Sequence, residues 1–388
     1  MERNAIGAGQ PANRPPLPIL TTLRFFAAAE VVAFHAAQAR PGWTTPVGIL
    51  SGLVSGGYPA VVFFFVLSGF ILAYVHGGEN GRGECNVSAT RFWRLRFARI
   101  APAYYLGLLL ALPIVIQVVA QSHASELKIA IGLASVVVFL QAWWPAYLSL
   151  WNFPAWSLSV ECLFYALFPS LTRTLGRWPV VALLAGSYVL IALTCTYRLE
   201  YMSTGVPGGA PAHWLMPTLF PLLHVPLFVF GMGLARFFLS GRHLSPRLHA
   251  AILGIGVGLL VLIFGSAWLL PSWMRSDIVL VPIFALVIIG GAGSGSSVKL
   301  LTLPIFLLLG EASYSMYILH IPLRYCWEAL IMGMPGLGLA PWLHYLLYFG
   351  FVVLVSVVVF RHVETPMRKW IAGRSEKRLP RTAVAVAG

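Results

Sequence analysis

Charge is what this 388-residue chain has least of: 10% of its residues are Asp, Glu, Lys or Arg, and 59% are hydrophobic. A soluble domain carries roughly a quarter charged residues, so such a chain could not cover a water-facing surface. No polar block large enough to fold alone interrupts the apolar runs between residues 19 and 362. Aspartate is almost missing. Asp277 stands alone, which excludes paired-aspartate chemistry and leaves acid–base work to a few Glu and His. The four cysteines, Cys85, Cys162, Cys195 and Cys326, show no C-x-x-C spacing, so neither a zinc site nor a disulfide framework is indicated and they are expected to pack. Gly-rich stretches at 205–209 and 290–295 read as loops, and the second lacks the G-K-[ST] ending of a phosphate loop. No internal repeat relates the two halves, a feature of many transporters.

What is present predicts an all-α integral membrane protein, one bundle of about ten transmembrane helices with both termini cytoplasmic. Segments of about 20 apolar residues lie near 19–38, 58–76, 100–120, 156–173, 178–197, 215–235, 250–270, 277–293, 301–321 and 343–361. A shorter stretch, 129–142, reads as a re-entrant or outer-leaflet helix. With that choice 21 of the 26 Lys and Arg fall on the cytoplasmic side, as the positive-inside rule requires. The net charge of +14 is thereby read as topology, and no nucleic acid is expected as partner. Ten of the thirteen Trp then flank the outer ends. Residues 1–18 and 371–388 are expected to be cytoplasmic tails around a membrane domain at 19–370. Ala37-Gln38-Ala39 resembles a signal-peptidase site, but Arg24, Glu30 and His35 inside the preceding apolar run argue against cleavage.

Ionisable side chains inside a bilayer are costly and point to function. Arg24 and His35 are 11 residues apart, which puts them on one helix face about 16 Å apart, whereas Glu30 points elsewhere. The plainer reading is a snorkelling Arg24 and a hydrogen-bonded core His35. The run Phe63 to Phe70 is an aromatic wall broken by Ser68-Gly69, where another helix or a ligand could approach the backbone. Arg91, Arg94, Arg96 and Arg99 are interleaved with Phe92 and Trp93; guanidinium forks suit phosphate and the rings could stack on a purine, although a stop-transfer charge cluster would look the same. Glu161, one turn inside its helix, is expected at the depth of His35, where a carboxylate could orient the imidazole as a general base.

Thr22-Leu-Arg24 through His35 fits an R-x10-H signature, and FVLSGF (65–70), R-x-x-R-x-R-x-x-R-I-x-P (91–102), WSLSVE (156–161), SYSMYILH (313–320) and ETPMR (364–368) follow in order. In these blocks the chain resembles the acyltransferase-3 family of bacterial membrane O-acyltransferases, from about residue 20 to 370. The resemblance implies a multi-pass enzyme of the bacterial inner membrane. Such an enzyme moves a short acyl group, commonly acetyl from acetyl-CoA, to a hydroxyl of a glycan or glycosylated small molecule, with no metal. Family members with a fused periplasmic esterase-like domain are known; the short stretch after Arg368 predicts action by the membrane domain alone. Under this reading Arg91, Arg94 and Arg99 hold the CoA phosphates, Arg24 stands at the entrance, and His35 acts with Glu161 as general base or transient acyl carrier. Ser68, Tyr165 and His320 line the substrate site, and the role of Glu30 stays open. The competing class is a proton-coupled transporter or flippase of a glycosylated or lipid-linked solute, with the Arg, His and Glu set as proton relay. A structural scaffold would leave the ionisable residues unexplained.

Overall fold

The computed structural model describes residues 14–39, 52–78, 85–122, 125–144, 151–203, 218–241, 244–332 and 340–373. The outer parts of both expected tails, the 205–209 stretch and residues 145–150 lie outside the described residues. No strand occurs among the described residues. The helices are α1 (Pro18–Ala39), α2 (Gly57–His76), α3 (Ala89–Ala120), α4 (Glu126–Val137), α5 (Trp156–Leu175), α6 (Val180–Ser203), α7 (Val225–Leu239), α8 (Pro246–Gly265), α9 (Asp277–Gly293), α10 (Pro304–Met332), α11 (Pro341–Val359) and α12 (Thr365–Ala372). A π-helical turn, Phe360–Glu364, joins the last two. Eight helices among the described residues are long and apolar enough to cross a membrane. Of the ten expected segments, α5 is not among those eight and α9 is shorter, at 17 residues.

Several boundaries differ from the sequence reading for local reasons. Helix α3 starts at Ala89 rather than near residue 100 because the Ser88 side chain accepts the Arg91 N–H at 3.4 Å, an N-cap. Helix α8 starts at Pro246, with Ser245 accepting the Leu248 N–H and proline in the first turn. The 290–295 stretch is helical as far as Gly293, packed against α8. The short apolar stretch is helical over Glu126–Val137, about 18 Å and well short of the ~30 Å hydrocarbon core. The Tyr104 and Tyr105 hydroxyls of α3 donate to its terminal carbonyls, Val136 O (2.5 Å) and Val137 O (3.0 Å). Phe139, in the left-handed region at φ 62°, then reverses the chain while its ring stacks on Tyr104 at 4.3 Å.

At three prolines inside helices a side chain from elsewhere in the bundle completes the broken ladder. Proline lacks the N–H that would bond the carbonyl four residues back. For Pro322, where the expected segment stopped, that carbonyl is Ile318 O, and Asn152 Nδ2 donates to it at 2.8 Å. For Pro169 in α5 it is Tyr165 O, which receives Trp93 Nε1–H at 2.9 Å. For Pro282 in α9 it is Ile278 O, which receives the Tyr188 hydroxyl at 2.8 Å. With no water in the hydrocarbon, each of these donors replaces a bond the membrane cannot supply.

Helices α2 and α7 touch backbone to backbone. A Cβ on Gly69 would lie 2.0 Å from Phe228 O, and one on Gly231 2.0 Å from Val66 O. The Ser-Gly break in the aromatic wall therefore admits a helix at Gly69, as small residues do in membrane packing, and leaves Ser68 facing the interior.

Candidate active site

Five helices, α1, α2, α3, α5 and α10, enclose a chamber of about 120 Å³. Along α2 it extends from Val61 to Leu72, eleven residues and so about 16 Å. One wall is the apolar face of α2 with Phe64, Phe65 and Ser68. The opposite walls are polar: Arg24, Arg96, Arg99, Glu161, Tyr165, Tyr314 and Tyr317. Arg24 lies in the electrostatic range of Glu161, Glu311 and Arg368, and Arg99 in that of Arg24 and Arg368. Four guanidinium groups thus share one end of the bundle with the carboxylates of Glu161, Glu311 and Glu364, an excess of positive charge that suits an anionic ligand.

Several of these groups are engaged within the protein. Arg99 forms an ion pair with Glu364, and Glu364 also accepts the Ser315 hydroxyl at 2.6 Å. The guanidinium lies 5.2 Å above the Tyr314 ring. Glu364 ends the π-helical turn, which presents it to α3 and α10. The Tyr165 hydroxyl donates to Glu161 one turn away.

The other end of the chamber meets a histidine pair. Tyr317 lines the chamber, and its hydroxyl bonds Ser157 Oγ at 2.7 Å and donates to Pro154 O at 3.0 Å. Its ring centroid is 6.2 Å from that of His320. His320 is fully buried. Its Nδ1 sits 2.6 Å from Tyr317 O, a pure acceptor, so Nδ1 carries the proton and Nε2 the lone pair. His35 Nδ1 lies 3.3 Å from that Nε2 and 2.9 Å from Val31 O. Both neighbours accept, so the His35 proton is on Nδ1 and its Nε2 is left with a lone pair. Such an imidazole can take a proton.

The sequence-level candidates sort accordingly. Arg24, Arg99, Glu161, Ser68 and Tyr165 line the chamber. His35 and His320 form the adjoining pair. Arg24 lines the chamber, and His35 meets α10 through His320. The expected pairing of Glu161 with His35 is not what the structure shows: the hydrogen-bond partner of Glu161 is Tyr165, and His35 is held by Val31 and His320. The depth estimate placed Glu161 too near the far end of α1; it lies instead in the chamber with Arg24. Arg91 and Arg94 are exposed at the start of α3, outside the chamber lining. Arg96, part of the same run but not among the three arginines assigned to the CoA phosphates, is in the wall. Residues 92, 96, 99 and 103 are buried and share a face, a helical period that the run itself displays once α3 starts at 89. Trp93 is tied to the Pro169 break, and Phe92 is buried against His76 and Phe168. Glu30 accepts the backbone N–H of Gly56 at 2.7 Å and so satisfies a free donor at the start of α2.

Comparisons with known proteins identify the family. The family model of acyltransferase-3, described as an acyltransferase domain, matches residues 17–361. The chain belongs to the acyltransferase-3 family. It is a multi-pass membrane enzyme that transfers acyl groups. It is 29% identical over 318 residues to "Acyltransferase MdmB" of Streptomyces mycarofaciens, covering 78% of each chain. Over 390 residues it is 25% identical to "Peptidoglycan O-acetyltransferase OatA" of Listeria monocytogenes, 92% of this chain and 56% of that one. Over 374 residues it is 24% identical to "O-acetyltransferase OatA" of Staphylococcus aureus, 91% of this chain and 57% of that one. The chain thus spans less than two thirds of the OatA proteins. No solved structure matches. Within this acyltransferase-3 chain, blocks far apart in sequence converge on the two sites: Arg24 and His35 from the first, Ser68 from the second, Arg96 and Arg99 from the third, Glu161 from the fourth, Tyr314, Tyr317 and His320 from the fifth, and Glu364 from the last.

Proposed function

We propose that this enzyme moves a short acyl group, acetyl from acetyl-CoA, to a hydroxyl of a glycan or glycosylated small molecule across the bacterial inner membrane. The observation that carries the reading is that Tyr317 both lines the arginine-rich chamber and packs beside His320 of the His35–His320 pair. In this reading about ten helices span, both termini are cytoplasmic, and the arginine end of the chamber faces the cytoplasm. Arg91 and Arg94 meet the nucleotide phosphates at the mouth, Arg24 and Arg96 attract the anion inward, and Arg99 braces the wall through Glu364. The narrow acyl-bearing arm fills the chamber so that its thioester reaches Tyr317.

His35 Nε2 then takes the proton of the acceptor hydroxyl as the oxygen bonds to the thioester carbonyl carbon. The carbon–sulfur bond breaks, and the leaving thiolate receives that proton. The products are an ester and CoA thiol. Glu161, held by Tyr165, balances the guanidinium charge in the chamber rather than orienting His35. A transporter reading is not favoured, since the comparisons name acyl-transferring relatives.

Detergent-purified protein should hydrolyse acetyl-CoA slowly without acceptor. His35→Ala should reduce that turnover by roughly 10²- to 10⁴-fold, the usual contribution of general-base assistance, while CoA binding persists. Unchanged turnover in His35→Ala would return His35 to the status of a packed core histidine.

A further inference from the structure

His76 is a buried imidazole at the last position of α2 that the acyl-transfer reading does not use. Its two nitrogens are both engaged. Arg96 NH2, which can only donate, lies 3.3 Å from His76 Nε2. The lone pair is therefore on Nε2 and the proton on Nδ1, which faces Asn86 Oδ1 at 3.3 Å. The Asn86 amide is oriented in turn, because its Nδ2 donates to Val75 O at 2.9 Å and its backbone N–H to His76 O at 3.0 Å. The chain from Val75 through Asn86 and His76 to Arg96 fixes the sense of every proton in it. The Arg96 guanidinium also rests 5.7 Å from the Phe92 ring centroid, and Phe92 packs edge-on against His76 at 5.4 Å.

We infer that His76 is a positioning residue for the acyl donor: as a neutral hydrogen-bond acceptor it holds the Arg96 guanidinium against the chamber wall, oriented toward an incoming phosphate or thioester. A guanidinium recognises anions through a planar fork, so its orientation matters as much as its charge. A carboxylate in place of His76 would neutralise the cation and compete with the ligand for it. A neutral imidazole fixes the geometry without itself neutralising the cation. The inference rests on the reading of the chamber as the donor site.

The test is steady-state kinetics with acetyl-CoA on purified full-length protein, comparing His76→Ala, His76→Gln, Arg96→Ala and the His76→Ala/Arg96→Ala double variant. His76→Ala should raise the apparent KM for acetyl-CoA about tenfold, the scale of one hydrogen bond to a charged group, with kcat changing less than about twofold. His76→Gln, whose Oε1 can accept from Arg96, should recover most of that loss. In the Arg96→Ala background, His76→Ala should add nothing further, because the two residues act as one unit. An inert His76→Ala beside an effective Arg96→Ala would overturn the inference and leave the donor reading standing. So would equal losses in kcat and KM that glutamine does not rescue, or full additivity in the double variant; each would mark His76 as packing between α2 and α3. An unchanged KM in Arg96→Ala would overturn the donor-chamber reading itself.

Discussion

At the residue scale the four arginines of the 91–99 run divide by where the helix turns them. Arg91 and Arg94 are exposed, whereas Arg96 and Arg99 are buried. Arg99 is paired with a Glu364 carboxylate that has no exposure at all. Removing one partner of such a pair leaves an uncompensated buried charge, at a cost of about 3–5 kcal/mol. Arg99→Ala is therefore expected to lower the thermal stability of the detergent-solubilised protein sharply, with Arg94→Ala close to wild type. Unfolding followed by tryptophan fluorescence checks this, and equal midpoints in the two variants would deny the Arg99–Glu364 pair a structural role. The sequence displayed Arg24 and His35 because one helix carries both, and spacing along a helix fixes direction. It could not display His320 as the partner of His35, since those rings come from positions 285 residues apart. The same limit led to the expectation that Glu161 meets His35: depth in a membrane is legible from position along a segment, but which helix a side chain faces is not.

At the scale of elements, the segments were legible from apolar run length, and their ends were less so. Proline marked one misplaced end: the segment expected to stop at 321 runs on through Pro322 to Met332. Asn152, Trp93 and Tyr188 supply the hydrogen bonds that Pro322, Pro169 and Pro282 withhold, from positions 166, 72 and 90 residues away from the carbonyls they serve. The Asn152 bond bears on the site, because Ile318 and Pro322 flank His320. Asn152→Ala should leave Ile318 O buried and unpaired, a loss of about 1–3 kcal/mol. Pro322→Ala restores the missing backbone N–H, so adding it to Asn152→Ala should shrink that loss. Thermal midpoints of the two single variants and the double variant measure the coupling. If Pro322→Ala does not reduce the Asn152→Ala defect, the side chain is not completing the α10 ladder. The α2–α7 contact at Gly69 was foreseeable from Ser68-Gly69; its partner Gly231, in another segment, was not.

At the scale of the whole molecule, basic residues that the positive-inside rule assigns to one side also serve the fold. Arg14 donates to Gly78 O at 2.7 Å, beyond the end of α2, and Arg236 to Leu175 O at 2.7 Å and Trp178 O at 2.5 Å, at the end of α5. Cations at helix C-termini satisfy free carbonyls and complement the helix dipole. This gives a positive end to the bundle a structural reason besides topology. The same end carries the arginines of the chamber, whereas the His35–His320 pair lies about 16 Å farther along α1. The central claim is that the donor enters at the arginine end, from the cytoplasm, and that the acyl group is delivered at the histidine end. Consumption of acetyl-CoA, which does not cross membranes, by sealed vesicles of opposite orientation tests it most directly. Inside-out vesicles should consume acetyl-CoA added to the medium and lose that activity with His35→Ala, while right-side-out vesicles should leave it intact until permeabilised. Equal consumption by intact right-side-out vesicles would contradict the account.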